Sequence, residues 1–285
     1  MYKAINYWVL GGFDGAKGPY AAIEDAASWG LDGVELTVGD CIPFDLSASE
    51  CGKIKDAAAR AGVGLRTLAT GFYWGCSLAS PDAQERRRAL DTTRQYITLA
   101  RNLGAESILV VPGAVDVAWD PSRPVVPYAQ VWELATRSLG ELLPHAAEAG
   151  VNIALENVWN KFLTMPGEMK AFLDQFPERE LGVYFDTGNC LIQGYPGHWI
   201  ELLADRIHAV HIKNFARQDC GGVLHGFGDD LLSGDLDIEA FKADHARYIP
   251  GTPVTAEMIP FSRLPDMVLP DAALAADTAR KLFAI

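Results

Sequence analysis

Eight short apolar or β-branched runs, each followed by a segment with helical spacing of its apolar residues, extend from one end of the chain to the other. The runs are Ala4 to Val9, Gly33 to Thr37, Gly64 to Ala69 and Ser107 to Val111, then Asn152 to Glu156, Gly182 to Asp186, Ile207 to Ile212 and Pro253 to Met258. The helical patterns cover Ala21 to Trp29, Ala48 to Ala61, Ala83 to Leu103 and Tyr128 to Ala149. They continue with Gly167 to Gln175, His198 to Ala204, Ile238 to Tyr248 and Asp271 to Phe283. Gly62, Gly104 and Gly150 stand where three of these helices need a left-handed residue to end them. Strand then helix, eight times in 285 residues, predicts a single-domain (β/α)₈ barrel over residues 1–285. A doubly wound open sheet is the rival architecture, and it would carry a glycine-rich phosphate loop behind an early strand. Gly11-Gly12-Phe13-Asp14-Gly15 occupies that place without the G-x-G-x-x-G spacing, which favours the barrel.

Charge narrows the partners. The formal net charge is -13, from 37 acidic and 24 basic residues. Such a surface repels phosphate backbones and anionic lipid, so the expected partner is a small molecule, with no nucleic acid and no membrane. No apolar stretch reaches the roughly 18 residues of a membrane helix. The N-terminus lacks the basic start, apolar run and small-residue cleavage site of a secretory signal. The five cysteines form no CxxC pair, which suggests idle thiols in a reducing compartment. The expected location is cytoplasmic. Two long connections stand out. Asn214 to Asp237, rich in glycine and aspartate, reads as a lid or part of a site wall, and Pro112 to Pro127, with four prolines, as a stiff flap.

In such a barrel the chemistry gathers at the C-terminal ends of the strands. The fifth to eighth runs end in Leu155-Glu156-Asn157, Phe185-Asp186-Thr187-Gly188-Asn189, Val210-His211-Ile212-Lys213-Asn214 and Ala256-Glu257-Met258. Each delivers one metal-competent side chain: Glu156, Asp186, His211 or Glu257. Strand alternation turns the flanking apolar residues toward the helices and these four toward the barrel axis. One acid at a strand end is usually a helix cap or an ion-pair partner, and one histidine is usually a satisfied core residue. Four at equivalent places on adjacent strands are better explained by a divalent cation that relieves their mutual repulsion. Three oxygens and one nitrogen suit Mn²⁺ best, with Mg²⁺ and Co²⁺ next and Zn²⁺ as a further option.

Together these motifs resemble the xylose isomerase-like barrel superfamily, and within it the ketose 3-epimerases and their hydroxypyruvate isomerase and hexulose-phosphate epimerase relatives. Gly234-Asp235-Leu236-Asp237 is similar to a glycine-acid turn of that family. The resemblance implies one divalent metal ion held by Glu156, Asp186, His211 and Glu257. It also implies a ketose or ketose phosphate substrate, with Glu156 and Glu257 as the acid/base pair that moves a proton next to the carbonyl through a metal-stabilised enediolate. Arg217 matches an arginine that the epimerases place on substrate hydroxyls. Asn189 and Lys213 are further substrate-binding candidates, and Trp8 and Trp159 are candidate walls for the sugar's C–H face. Homo-oligomers are frequent in the family.

Two positions depart from the epimerase pattern. Asn189 stands where those enzymes have a histidine, and Phe162 where they have a second glutamate six residues after the fifth-strand ligand. A dehydratase of the inosose type on the same scaffold, and a sugar-binding barrel without catalysis, are therefore carried as alternatives. A DNA-repair nuclease on this barrel would need more histidines than the six available and a less acidic surface.

Overall fold

Eight parallel strands hydrogen-bond in chain order, and the eighth closes onto the first to complete a barrel. The computed structural model describes residues 1–117, 120–177, 179–216, 231–258 and 271–284. The strands are β1 (Tyr2–Asn6), β2 (Gly33–Thr37), β3 (Thr67–Ala69), β4 (Ser107–Val110), β5 (Asn152–Glu156), β6 (Leu181–Asp186), β7 (Ile207–Ile212) and β8 (Pro253–Ala256). The closed ring excludes the open doubly wound sheet.

The described helices are α1 (Tyr7–Gly11), α2 (Pro19–Ser28), α3 (Ala48–Ala61), α4 (Ala83–Leu103), α5 (Tyr128–Ala149), α6 (Pro166–Leu173), α7 (Thr187–Leu191), α8 (Pro196–Leu203), α9 (Ile238–Tyr248) and α10 (Ala272–Ala284). Helix α3 starts from a capping box in which Ser47 and Glu50 satisfy each other's backbone N–H groups. Helices α3, α4 and α5 end on Gly62, Gly104 and Gly150, all with positive φ.

The structure corrects the sequence reading at two strands. The run Ala4 to Val9 is not one strand: β1 stops at Asn6, whose side-chain oxygen accepts the Trp8 N–H at 2.7 Å and starts helix α1. Local capping overrides the apolar pattern there. The run from Gly64 is strand only from Thr67, with Gly64 contributing an isolated bridge to Gly33.

Register then sets what shares a layer. Asn6 pairs with Glu35, Glu156 with Tyr184, and Asp186 with His211. Period-two alternation puts Tyr184 and Asp186 on one face of β6 and Phe185 on the other. Phe185 stacks on Trp199 of α8 at 5.5 Å between ring centroids, whereas Tyr184 lies 4.4 Å from the His211 ring. The apolar residues thus fill the space between strands and helices. The polar ones occupy the barrel axis.

Candidate metal centre and active site

Glu156 and Asp186 end their strands, His211 sits one residue from the end of β7, and Glu257 follows β8 directly. One donor atom from each lies within 4.8 Å of the others, and all four residues are buried. His211 Nδ1 stands 3.5 Å from Glu156 Oε1 and 3.6 Å from Glu257 Oε2. Strand-end hydrogen bonds hold this arrangement. Asn157 accepts the Asp186 N–H at 2.8 Å and donates to the Asp186 carbonyl at 2.9 Å. Asp186 Oδ1 accepts the Asn189 N–H at 2.7 Å, capping α7, which leaves Oδ2 for the centre. The Thr187 hydroxyl and the Lys213 backbone tie β6 to β7 through two hydrogen bonds of 2.8 and 3.0 Å.

Beneath the centre lies a residue that the sequence reading overlooked. Glu35, fully buried on β2, accepts hydrogen bonds at Oε1 from Asn6 Nδ2 and His211 Nε2, each 2.7 Å long, and at Oε2 from the Tyr184 hydroxyl. Burial opposes its charge, but the His211 charge and these hydrogen bonds hold the carboxyl below its ordinary range. A carboxylate accepts only, so His211 Nε2 carries a hydrogen and Nδ1 turns toward the acids. The signal was available in the sequence. Glu35 sits within the apolar run Gly33-Val34-Glu35-Leu36-Thr37, the same kind of anomaly that singled out Glu156.

Lys213 reaches the group from β7, with Nζ 2.5 Å from Glu257 Oε2 and 3.1 Å from Asp186 Oδ2. Burial opposes the ammonium, yet the Asp186, Glu257 and Glu156 charges raise its pKa further above the ordinary lysine value. Burial, helped by Glu257 and Asp186 and opposed by His211, pushes the Glu156 carboxyl up to about 7. Asp186 is likewise raised by burial, against the pull of Lys213. Glu257 is held low despite burial, first by Lys213 and then by His211. For His211, burial is outweighed by Glu257 and Glu35, which push the imidazole well above its usual pKa.

The residues fit a divalent cation on two counts. Three carboxylates and the Glu35 carboxylate beneath them face the Lys213 ammonium and the His211 imidazole, a local excess of negative charge that a cation reduces. His211 Nδ1 is buried without a hydrogen-bond partner among the described residues, a costly state for a group that a metal ion would otherwise ligate. Asp186 Oδ2 and Glu257 Oε2 are buried beside it with the Lys213 ammonium as their counter-charge. Above them opens a cavity of about 540 Å³, lined by Glu156, Glu257, Lys213 and Asn189 together with Trp8, Phe72 and Trp74.

A family model described as "Xylose isomerase-like TIM barrel" matches residues 23–281. The chain belongs to that family. Among curated proteins, it is 26% identical over 195 residues to SgbU of Escherichia coli (strain K12), provisionally named an L-ribulose-5-phosphate 3-epimerase. That match covers 66% of this chain and 65% of the relative. Among solved structures, the barrel is similar to a D-psicose 3-epimerase from Clostridium cellulolyticum H10 crystallised with D-tagatose. The TM-score is 0.80 at 18% identity, covering 100% of this chain and 97% of that one. The 3-keto-D-glucoside 4-epimerase YcjR of E. coli superposes with a TM-score of 0.77 at 15% identity, each chain covered in full. At these identities the superpositions speak for the fold.

Within this xylose isomerase-like barrel the remaining candidates separate. Asn189 borders the cavity, its side-chain amide donating to the Asn157 carbonyl at 2.9 Å. Trp8 borders it too, from α1. Trp159 does not. Its indole donates to the Asn189 carbonyl at 2.9 Å, its ring meets Phe215, and it lines a neighbouring cavity of about 370 Å³. Closeness in sequence to the end of β5 did not fix its direction. Phe162 is fully buried among Tyr128, Trp132 and Phe172. The place where the epimerases carry a second glutamate is here buried and aromatic. Arg217 and most of the glycine-rich connection after β7 lie outside the described residues. No described helix is long and apolar enough to cross a membrane.

Proposed function

We propose that the protein is a divalent-metal-dependent sugar isomerase or epimerase that moves a proton next to the carbonyl of a small ketose or ketose phosphate. The observation that carries this reading is the convergence of Glu156 and Glu257 with Asp186 and His211, within 4.8 Å, at the floor of a cavity of ligand size. Glu156, Asp186, His211 and Glu257 would hold the ion, with Mn²⁺ as the best match to three carboxylates and one imidazole. Once bound, a divalent cation supplies Lewis acidity toward a carbonyl and its neighbouring hydroxyl.

The chain's own residues do the rest. Glu156 and Glu257 reach the cavity from different strands, so one can take the proton and the other return it. Return to the opposite face of the same carbon inverts its configuration, and return to the neighbouring carbon, with a hydroxyl proton moved, isomerises the sugar. Lys213 holds Glu257 and Asp186 in place and presents an ammonium toward the substrate's oxygens. The Asn189 amide and the Trp8 ring border the space where the carbon chain would lie.

Dehydration on the same site is the second reading, favoured by one observation: Phe162 seals the place of the family's second glutamate. Incubating Mn²⁺-loaded protein with a ketose panel and reading products by mass and NMR separates the two. An epimer or isomer of unchanged mass supports the proposal, and loss of water transfers the site to the lyase reading. A protein that binds these sugars and converts none of them sinks both.

A further inference from the structure

Asp40 takes no part in the metal centre, yet its carboxylate borders the same cavity. It stands at the tip of a turn that closes β2 and is built rigidly. Cys41 and Ile42 donate their backbone N–H groups to the Thr37 carbonyl at 3.0 and 3.3 Å, and Gly39, at φ 106°, donates to the Ile42 carbonyl at 2.8 Å. The Thr70 hydroxyl pins the turn from β3 by donating to the Val38 carbonyl at 2.7 Å. Gly15 packs over the Asp40 carbonyl so closely that a Cβ there would fall 2.5 Å from the oxygen.

The side chain is fixed as well. Trp8 Nε1 donates to Asp40 Oδ2 at 2.8 Å, and Oδ1 has no hydrogen-bond partner among the described residues. Among the described residues no cation pairs with it: burial lifts the carboxyl's pKa and the Trp8 hydrogen bond opposes that. The same cavity wall carries the aromatic rings of Trp8, Phe13, Phe44, Phe72 and Trp74. Among the described residues, the charged groups on the cavity wall are Asp40, Glu156, Glu257 and Lys213, three carboxylates to one ammonium that Asp186 and Glu257 also share. A rigid carboxylate with an open oxygen, beside aromatic faces, is how a site binds a neutral polyol. It is the wrong charge for a phosphate.

We propose that Asp40 sets substrate class, with Oδ1 accepting a hydroxyl hydrogen of an uncharged ketose or related polyhydroxy-carbonyl compound and its charge turning away phosphate esters. The inference deepens the isomerase reading and rests on it for the orientation of the substrate. It narrows the two substrate classes of that reading to one.

The test is equilibrium binding by calorimetry to Mn²⁺-loaded wild type, D40A and D40N. The probes are D-fructose, L-ribulose, D-fructose 6-phosphate and L-ribulose 5-phosphate. Wild type binds the free sugars about 10-fold or more tightly than their esters, as a like charge at short range demands. In D40A the free sugars weaken by about 10- to 100-fold, the range expected for a lost hydrogen bond to a charged group. Mn²⁺ affinity stays unchanged in D40A. D40N keeps an acceptor for Trp8 while removing the charge, so the esters gain affinity. Esters bound as tightly as free sugars by wild type, free-sugar binding unaffected in D40A, or no binding of any probe overturns the proposal. Because the readout needs no turnover, Asp40-dependent sugar binding without proton transfer would defeat the isomerase reading and leave this one standing. Turnover of free sugars that D40A leaves untouched would do the reverse.

Discussion

His211 Nε2 lies 2.7 Å from Glu35 Oε1, across the barrel axis from β7 to β2, and this contact decides which imidazole nitrogen faces the acids of the centre. Glu35 is itself held by Asn6 and Tyr184, so three further strands fix the orientation of one ligand. Removing it frees the ring and leaves Asn6 and Tyr184 without their partner. We expect Glu35→Ala to bind Mn²⁺ about 10- to 100-fold more weakly, the usual effect of losing a carboxylate behind a histidine ligand. Calorimetric titration on protein with an unchanged far-ultraviolet spectrum checks this, and undiminished affinity would show that the ring needs no such support.

Lys213 brings its ammonium to the centre, paired with Asp186 and Glu257. Its replacement by methionine leaves buried carboxylates uncompensated, at a cost of about 3–5 kcal/mol for breaking such a buried pair. The metal-free K213M protein should therefore melt well below the metal-free wild type. Saturating Mn²⁺ should recover most of the difference, because the ion replaces the missing charge. Melting curves with EDTA and with Mn²⁺ decide it, and a K213M deficit equal in both conditions would place the role of Lys213 elsewhere.

Phe162→Glu does not rebuild the epimerase pattern. The new carboxylate would enter a fully buried space among Tyr128, Trp132 and Phe172. The expected outcome is destabilisation by about 3 kcal/mol or more, from lost aromatic packing and an unpaired buried charge. Chemical denaturation measures it. A stable F162E protein with raised activity would mean that this loop reaches the cavity after all.

His208 opens the acid side of the stability curve. It packs over Gly182 at the start of β7, and its Nε2 donates to the Arg179 carbonyl at 2.9 Å. Burial, with help from Arg206, lowers its pKa from 6.5 to about 4. The unfolded chain therefore takes up the proton first as pH falls. The contribution of the neutral ring is complete above about pH 6.5 and is lost progressively toward pH 4. Glutamine cannot titrate, so the stability advantage of wild type over His208→Gln should shrink as pH drops from 7 to 4. A constant gap across that range would contradict the assignment.

Much of this was legible from residue patterns. Glu156, Asp186, His211 and Glu257 could be read because each interrupts an apolar strand at the inward parity, and period-two alternation carries over directly into the barrel. Glu35 carries the same signal within the apolar run of β2, but without a matching acid at the ends of the neighbouring first-half strands to mark it as part of a cluster. Helix α1 was hidden for another reason: Asn6 redirects the backbone through its side chain, and an apolar run does not record that. Trp159 and Phe162 depend on the path of the chain after β5, where Lys161 and Leu163 both adopt positive φ. Non-glycine residues seldom take that conformation, so no sequence rule anticipates the turn.

Proton transfer from the carbon beside a carbonyl is the chemistry proposed for this centre. The most direct measurement is deuterium incorporation from D₂O into D-fructose and L-ribulose by metal-stripped protein restored with Mn²⁺, followed by NMR and repeated with Glu156→Gln and Glu257→Gln. We expect exchange at one carbon next to the carbonyl that requires Mn²⁺ and falls by about 100-fold or more in either variant, the scale of a lost acid or base. Absence of exchange from protein with Mn²⁺ demonstrably bound, or exchange that survives both substitutions, would contradict it.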